Sequence, residues 1–283
     1  MIPATMPRFS FDPVKHYYTL DGAPLVGTTT ALGIMDKPGL TWWASGMCAA
    51  EFGWLNPKKA TVEECIEAAR KGFANIFSMT GNLDTYIKFL NQAYRAHSQK
   101  KKDTAETGKD MHSMLEDFTR CRIEGRDPLI IEPLIQPFVD WANKNVNRFL
   151  FTELCCYSQV LHVGGTADFG YEDMAGNMVL GDFKSSETAY YAHYLQCGAY
   201  DLQISENGGY TQDGQKVFTL EKPFERYEIF CFRAGLDKPF LTRECNRLRR
   251  AFSYAVNLYR EKMFWEDAID SKESGIKSYG GKR

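Results

Sequence analysis

The stretches RFLFTELCCYSQV (148–160), LHVGGTADFGYED (161–173) and NMVLGDFKSS (177–186) decide how this chain is read. Each is a β-like run, and MAGN (174–177) supplies a turn between the second and the third. In a strand, residues two apart share a face. Asp182 and Lys184 of GDFKSS therefore project together, while Phe183 points the other way into a core. Asp168 of GGTADFG lies on the preceding strand and can sit beside Asp182 across a hairpin. Two carboxylates and an ammonium then meet at one strand edge.

Two neighbouring carboxylates repel unless something positive lies between them. A hard divalent cation such as Mg²⁺ or Mn²⁺ suits such a pair. Bound there, it polarises a phosphoryl oxygen and lowers the pKa of a water. The lysine orients or helps deprotonate that water and offsets charge in the transition state. Taken alone, the same residues also fit a buried salt bridge, which is costly to desolvate.

Outward from this centre the texture changes. On the N-terminal side, HYYTLDGAPLVGTT (16–29) carries a hairpin signal around Asp21-Gly22. A helix-like stretch begins near Thr41. Residues 61–78 are predicted helical, with Thr61 and Glu64 as a capping box and Val62, Ile66, Ala69 and Phe73 as the inward stripe. Residues 82–99 form a second helix, and KKKD (100–103) reads as a solvated boundary before a third at 106–125, with Met111, Leu115 and Phe118 inward. A further helix covers 133–145 with Pro133 near its start. On the C-terminal side, 187–204 is helical, 227–235 a strand and 241–269 a long helix, followed by a tail (271–283) expected to be disordered. The domains expected are an N-terminal hairpin and helical portion (1–105), a core (106–270) and the tail, with the first two forming one body.

A chain of 283 residues with 44% hydrophobic and 25% charged residues has an ordinary globular composition. No apolar run is long enough to span a membrane, and the N-terminus lacks the pattern of a secretory signal. The expected localisation is cytoplasmic. Eight scattered cysteines without a CxxC motif read as reduced thiols rather than a disulfide framework or a zinc site. A net charge of −2 leaves nucleic acid open as a partner, because only a substrate groove has to be basic. No GxxxxGK[ST] loop is present, so no nucleotide is expected to bind.

The surroundings of the acid–lysine pair add weight to the catalytic reading. Gly164-Gly165 precede the first acid and Gly181 the second, which permits close backbone approach. His112 and Glu116 are four apart on one helix, and Gln196 and Tyr200 four apart on another, so each pair shares a face.

In order and spacing these residues resemble the PD-(D/E)xK nuclease superfamily, in the RecB-like and Cas4-like branch that includes phage exonucleases. Gly108, His112, Leu115 and Glu116 match its helical histidine motif; Gly165 and Asp168 its second motif; Asp182 and Lys184 its (D/E)xK motif; Gln196 and Tyr200 its trailing QxxxY. The match covers about 106–204, with a looser one in the N-terminal hairpin and the segment after it.

The resemblance implies an α/β fold with a restriction-endonuclease-like core: a small mixed central β-sheet flanked by helices, with a helical N-terminal portion narrowing access to the site. It implies Mg²⁺- or Mn²⁺-dependent hydrolysis of DNA, exonucleolytic, on single strands or ends. By the same analogy His112, Asp168, Asp182 and the Phe183 backbone carbonyl hold the metal, Lys184 positions the attacking water, and Gln196 and Tyr200 support the site and contact the DNA backbone. Glu116 belongs to the same helical motif as a neighbouring acid. Glu153, on the strand before, is either an outer acid, a second-metal ligand or the partner of a nearby basic group.

The chain departs from Cas4 proteins in its cysteines. Only Cys231 and Cys245 lie beyond residue 200, so no iron–sulfur cluster is expected. That shifts the expectation from CRISPR adaptation to a stand-alone phage-type exonuclease, working in the host cytoplasm with possible recombination or replication protein partners.

For DNA contact, Arg243, Arg247 and Arg250 form one stripe on the last helix, while Leu248, Phe252, Ala255 and Tyr259 pack inward. The arginine stripe equally reads as a solvated basic face. Trp42, Trp43, Tyr17 and Tyr18 are stacking candidates, at least half of them expected in the core, and Lys100, Lys101 and Lys102 a further phosphate contact. Three alternatives stay open: an endonuclease or nickase of the same chemistry, a DNA-binding protein without catalysis, and an interaction module whose acids are structural.

Overall fold

The computed structural model describes residues 8–35, 38–79, 81–128 and 131–270, and of these the side chains at 38–40, 97, 100–109 and 268–270 are not described. The tail 271–283 and the Lys100, Lys101 and Lys102 side chains lie outside the described residues.

In chain order the elements are β1 (Phe9–Asp12), β2 (Tyr17–Leu20), β3 (Ala23–Gly27), α1 (Thr28–Ala31), α2 (Pro38–Glu51), α3 (Val62–Ser78), α4 (Leu83–Ile123), α5 (Gln136–Asn145), β4 (Val146–Ser158), β5 (Val163–Asp173), β6 (Met178–Lys184), α6 (Tyr191–Asn207), β7 (Gly209–Tyr210), β8 (Lys216–Phe218), β9 (Phe224–Cys231), β10 (Phe240–Thr242) and α7 (Cys245–Asp270). The fold is mixed α/β. Among the described residues, no helix is long and apolar enough to cross a membrane.

The chain divides into two units, one of residues up to 35 and from 110 onward, the other of 36–109. This departs from the expected boundary at 105. The N-terminal hairpin belongs with the C-terminal half because β3 pairs parallel with β5, through Val26–Val163 and Gly27–Gly164. The turn between β2 and β3 places Asp21 and Gly22 at φ 52° and 80°, as the Asp-Gly signal requires.

In this larger unit β4, β5 and β6 form an antiparallel meander, β9 adds parallel to β6, and β10 adds antiparallel to β9. The parallel pairing of β6 and β9 demands a crossover, and α6 lies within it. One face of the sheet packs on α4 and α5 through Leu115, Phe118, Phe138 and Phe183. The other packs on α6 and α7 through Leu195, Ala199, Leu248 and Phe252. Met111, Leu115 and Phe118 are buried as expected. Gly181 is required by this packing: a Cβ there would lie 2.1 Å from the Phe169 ring.

The sheet forks beside the acids. On one edge of β5, β3 covers Val163 and Gly164, and β6 covers Phe169 to Glu172. Residues 165–168 lie between these two partners, unpaired on that edge.

The helices differ from expectation in three places. The boundary expected at 100–103 is absent, because α4 runs unbroken through it. Arg243 precedes α7, so the arginine stripe on that helix is reduced to Arg247 and Arg250, both exposed. In the smaller unit, α3 has its capping box at Thr61 and Glu64, but the apolar stripe expected inward faces outward. Val62 and Phe73 are each 70% exposed. The helix packs instead through its small-residue face at Cys65, Ala68 and Gly72. Gly72 comes so close to Phe52 that a Cβ would lie 2.3 Å from the Phe52 carbonyl oxygen. Close backbone approach chose the buried face here, over side-chain size.

Candidate active site

Asp168 and Asp182 occupy the positions just past the last ladder pair of the β5–β6 hairpin, Phe169–Gly181. Across β4, the pairs Thr152–Phe169 and Leu154–Ala167 bracket Glu153 opposite Asp168. Three carboxylates therefore stand in one row across three adjacent strands. Alternation along β6 places Asp182 and Lys184 together, with Lys184 Nζ 2.5 Å from Asp182 Oδ2. Phe183 points the other way and stacks on Phe169, ring centroids 4.6 Å apart.

His112 reaches the row from α4. Its Nε2 lies 3.1 Å from Asp168 Oδ2, and its Nδ1 3.7 Å from Glu153 Oε1. The ring stands edge-on to Phe183 at 5.8 Å, so the aromatic core orients it. The Phe183 N–H donates to Asp168 Oδ2 at 2.8 Å, taking the place of a ladder bond where pairing with β5 has ended. Lys184 turns its carbonyl to β9, where the Phe232 N–H donates to it. The Phe183 carbonyl thus faces the opposite side, toward Asp168.

Asp182 is completely buried, and neither of its oxygens makes a hydrogen bond; the Lys184 ammonium is its ion-pair partner. Burial raises its pKa to about 7, against the pull of Lys184. Burial also favours a neutral Lys184, but Asp182 and Asp168 outweigh it and hold the ammonium above its usual range. Asp168 is buried too, yet Lys184 and His112 keep its carboxyl below the usual carboxylate range. Burial opposes a charged His112, and Asp168 with Glu153 overcomes it, raising the imidazole to about 9. Burial, then the Asp168 charge, raises Glu153 to about 8.

One group of His, Cys, Asp and Glu among the described residues has all its ligand atoms within 4.8 Å of one another: His112, Glu116 and Glu153. The trio His112, Asp168 and Asp182 is not such a group, because Asp182 is turned to Lys184. It is linked in pairs, His112 to Asp168 by contact and Asp168 to Asp182 by register. Glu116 is held on its own helix by Arg120. The basic partner foreseen for Glu153 is His112.

Gln196 and Tyr200 share a face of α6, and Gln196 Nε2 donates to the Tyr200 hydroxyl at 2.6 Å. Tyr200 is buried against Gly165, where a Cβ would lie 2.7 Å from its ring. It braces the strand that carries Asp168, and its burial leaves Gln196 as the member of the pair that faces outward. Trp42 and Tyr17 are exposed and Tyr18 is buried, where its hydroxyl meets Thr166 at 3.0 Å.

Some supports carried no sequence signal. Thr152 Oγ1 donates to the Asp168 carbonyl at 3.1 Å. Gln203 donates to Thr28 Oγ1, which donates in turn to the Gly164 carbonyl. These residues are 175 and 136 positions apart, so no local pattern reveals them. Glu153 adopts φ 47°, a left-handed backbone in mid-strand that a glutamate seldom takes. Compared with known proteins, the chain matches no protein-family model and no curated protein.

Proposed function

We propose that this chain is a metal-dependent DNA exonuclease with a restriction-endonuclease-like core, of the PD-(D/E)xK type. The observation that carries the reading is Asp182: a fully buried carboxylate with no hydrogen bond to either oxygen, beside a second buried carboxylate. Buried polar groups are ordinarily satisfied, and one left open asks for a ligand. The donors present fit a hard divalent cation such as Mg²⁺ or Mn²⁺. Asp168, Asp182, His112 and the Phe183 carbonyl would hold it. Such a cation supplies Lewis acidity toward a phosphoryl oxygen and acidifies a water.

The chain's own residues supply the rest. Lys184 is held protonated, so it orients a water and balances negative charge and does not serve as a base. Asp168 carries two donors, the His112 ring and the Phe183 N–H, which fix its carboxylate in place. Gln196 and Tyr200 keep β5 in register with the site. The open edge of β5 at 165–168 leaves room for a phosphodiester to approach the acids.

The test uses end-labelled single-stranded DNA, linear duplex and closed circular DNA, with Mg²⁺, Mn²⁺ or EDTA, and the Lys184→Ala variant alongside. Expected are metal-dependent loss of the linear substrates, an intact circle, and no cleavage by the variant. Cleavage of the circle would make the protein an endonuclease or nickase. No cleavage of any substrate would leave GDFKSS a structural ion pair.

A further inference from the structure

Helix α3 presents two apolar faces, and only one is used within its unit. The face at Cys65, Ala68 and Gly72 is packed. About 100° around the helix lies a stripe of larger side chains: Val62, Ile66, Phe73 and Phe77, exposed by 70%, 48%, 70% and 67%. The two phenylalanines stack on each other at 6.2 Å, making one continuous surface. A contiguous apolar stripe of this kind on a soluble helix marks a contact site.

The order of the residues says what fits there. The intervals along the stripe are four, seven and four, so it reads the same from either end. An antiparallel copy of α3, related by a two-fold axis between residues 69 and 70, sets Val62 against Phe77 and Ile66 against Phe73. Ala69, at the centre, allows close approach of the two helices. The charges follow the same symmetry: Glu63, Glu64 and Glu67 occupy the N-terminal half, Arg70 and Lys71 the next turn. An antiparallel partner brings the acidic half of one helix to the basic residues of the other, and opposes the helix dipoles. This is the self-complementarity that an isologous two-fold interface requires. A polyanion is disfavoured by the three glutamates flanking the stripe.

We propose that the protein is a two-fold dimer through the exposed face of α3, its occupant being a second copy of the same chain. Large apolar side chains from both copies then leave water together, in a contact stabilised by burial and oriented by charge.

The experiment is sedimentation velocity on the full chain from about 1 to about 50 µM, a range that brackets modest dimer affinities. The wild type is expected to approach twice the mass of one chain at the upper end. Ile66→Glu/Phe73→Glu should stay at one copy throughout, with unchanged helical circular dichroism and melting temperature, because both sites are exposed. Glu63→Lys/Glu67→Lys leaves the apolar stripe intact and should weaken the dimer most at low salt. A wild type that remains a single chain at the upper concentration overturns the proposal, as does a dimer that survives Ile66→Glu/Phe73→Glu. So does a monomeric wild type whose retention of a single-stranded oligonucleotide is lost in that variant, which would make the stripe a nucleic-acid face.

Discussion

Two charged clusters lie at opposite ends of the β5–β6 hairpin, and they are built on different rules. At the turn end, Arg226 lies between Asp173 and Glu228, 2.6 Å from each. Every carboxylate oxygen there is satisfied. Asp173 accepts from Arg226, the Asn177 side chain and the backbone N–H groups of Ala175 and Asn177. Glu228 accepts from Arg226 and from the Tyr171 hydroxyl at 2.7 Å. At the other end, Asp182 is equally buried and has an ion pair but no hydrogen bond. A closed cluster holds strands together. An open one keeps coordinating capacity for something else, and its unmet desolvation is offset by the rest of the fold.

That contrast can be broken most sharply at the open cluster. Asp182→Asn is expected to reduce DNA cleavage by roughly 10²–10³-fold, as expected for loss of a key electrostatic group, while leaving the melting temperature intact or raised. Rate and melting curve measured on one preparation decide it; a large drop in stability would make Asp182 structural. Arg226→Leu should do the reverse. It strands two buried carboxylates and costs about 3–5 kcal/mol by urea titration, with the specific activity of the folded fraction unchanged.

Divalent metal separates the clusters next. Mg²⁺ or Mn²⁺ at a hundred times its dissociation constant should stabilise the wild type by about 2.7 kcal/mol. Asp182→Asn should abolish that gain and Tyr171→Phe should keep it. Tyr171→Phe by itself takes the donor from one buried Glu228 oxygen and should cost about 1–3 kcal/mol in chemical denaturation.

The smallest effect is in acid. Burial opposes the ionised form of Asp173, but Arg226 and the Asn177 donors hold its carboxyl down at about 2, against 3.8 ordinarily. A depressed carboxylate adds stability above its ordinary pKa, and that stability drains as pH falls toward the folded value. The wild type should therefore lose more stability between pH 4 and pH 2 than Asp173→Asn does. Parallel curves in urea titrations would remove Arg226 as the cause.

Much of this was legible in the sequence because it depends on neighbours along the chain. Period-two alternation placed Asp182 with Lys184 and turned Phe183 inward. Helical spacing paired Gln196 with Tyr200 and buried Met111, Leu115 and Phe118. Asp21-Gly22 and Thr61 with Glu64 are local chemistry, and they formed as local chemistry dictates.

Other features depend on residues that meet only after folding. Glu153 comes opposite Asp168 through the β4 register, and Thr28, Gln203 and Gly164 meet across more than a hundred positions. Hydropathy could not choose between the two apolar faces of α3, because Gly72 allows a backbone approach that Phe73 would block. Sequence by itself determined the α/β class, the strand and helix order near the acids, and the pairing of charge within each element, since those follow from side-chain period and turn chemistry. Tertiary structure alone decided which carboxylates are saturated and which stay open, because a hydrogen bond across the fold is made by distance in space and leaves no mark on local order.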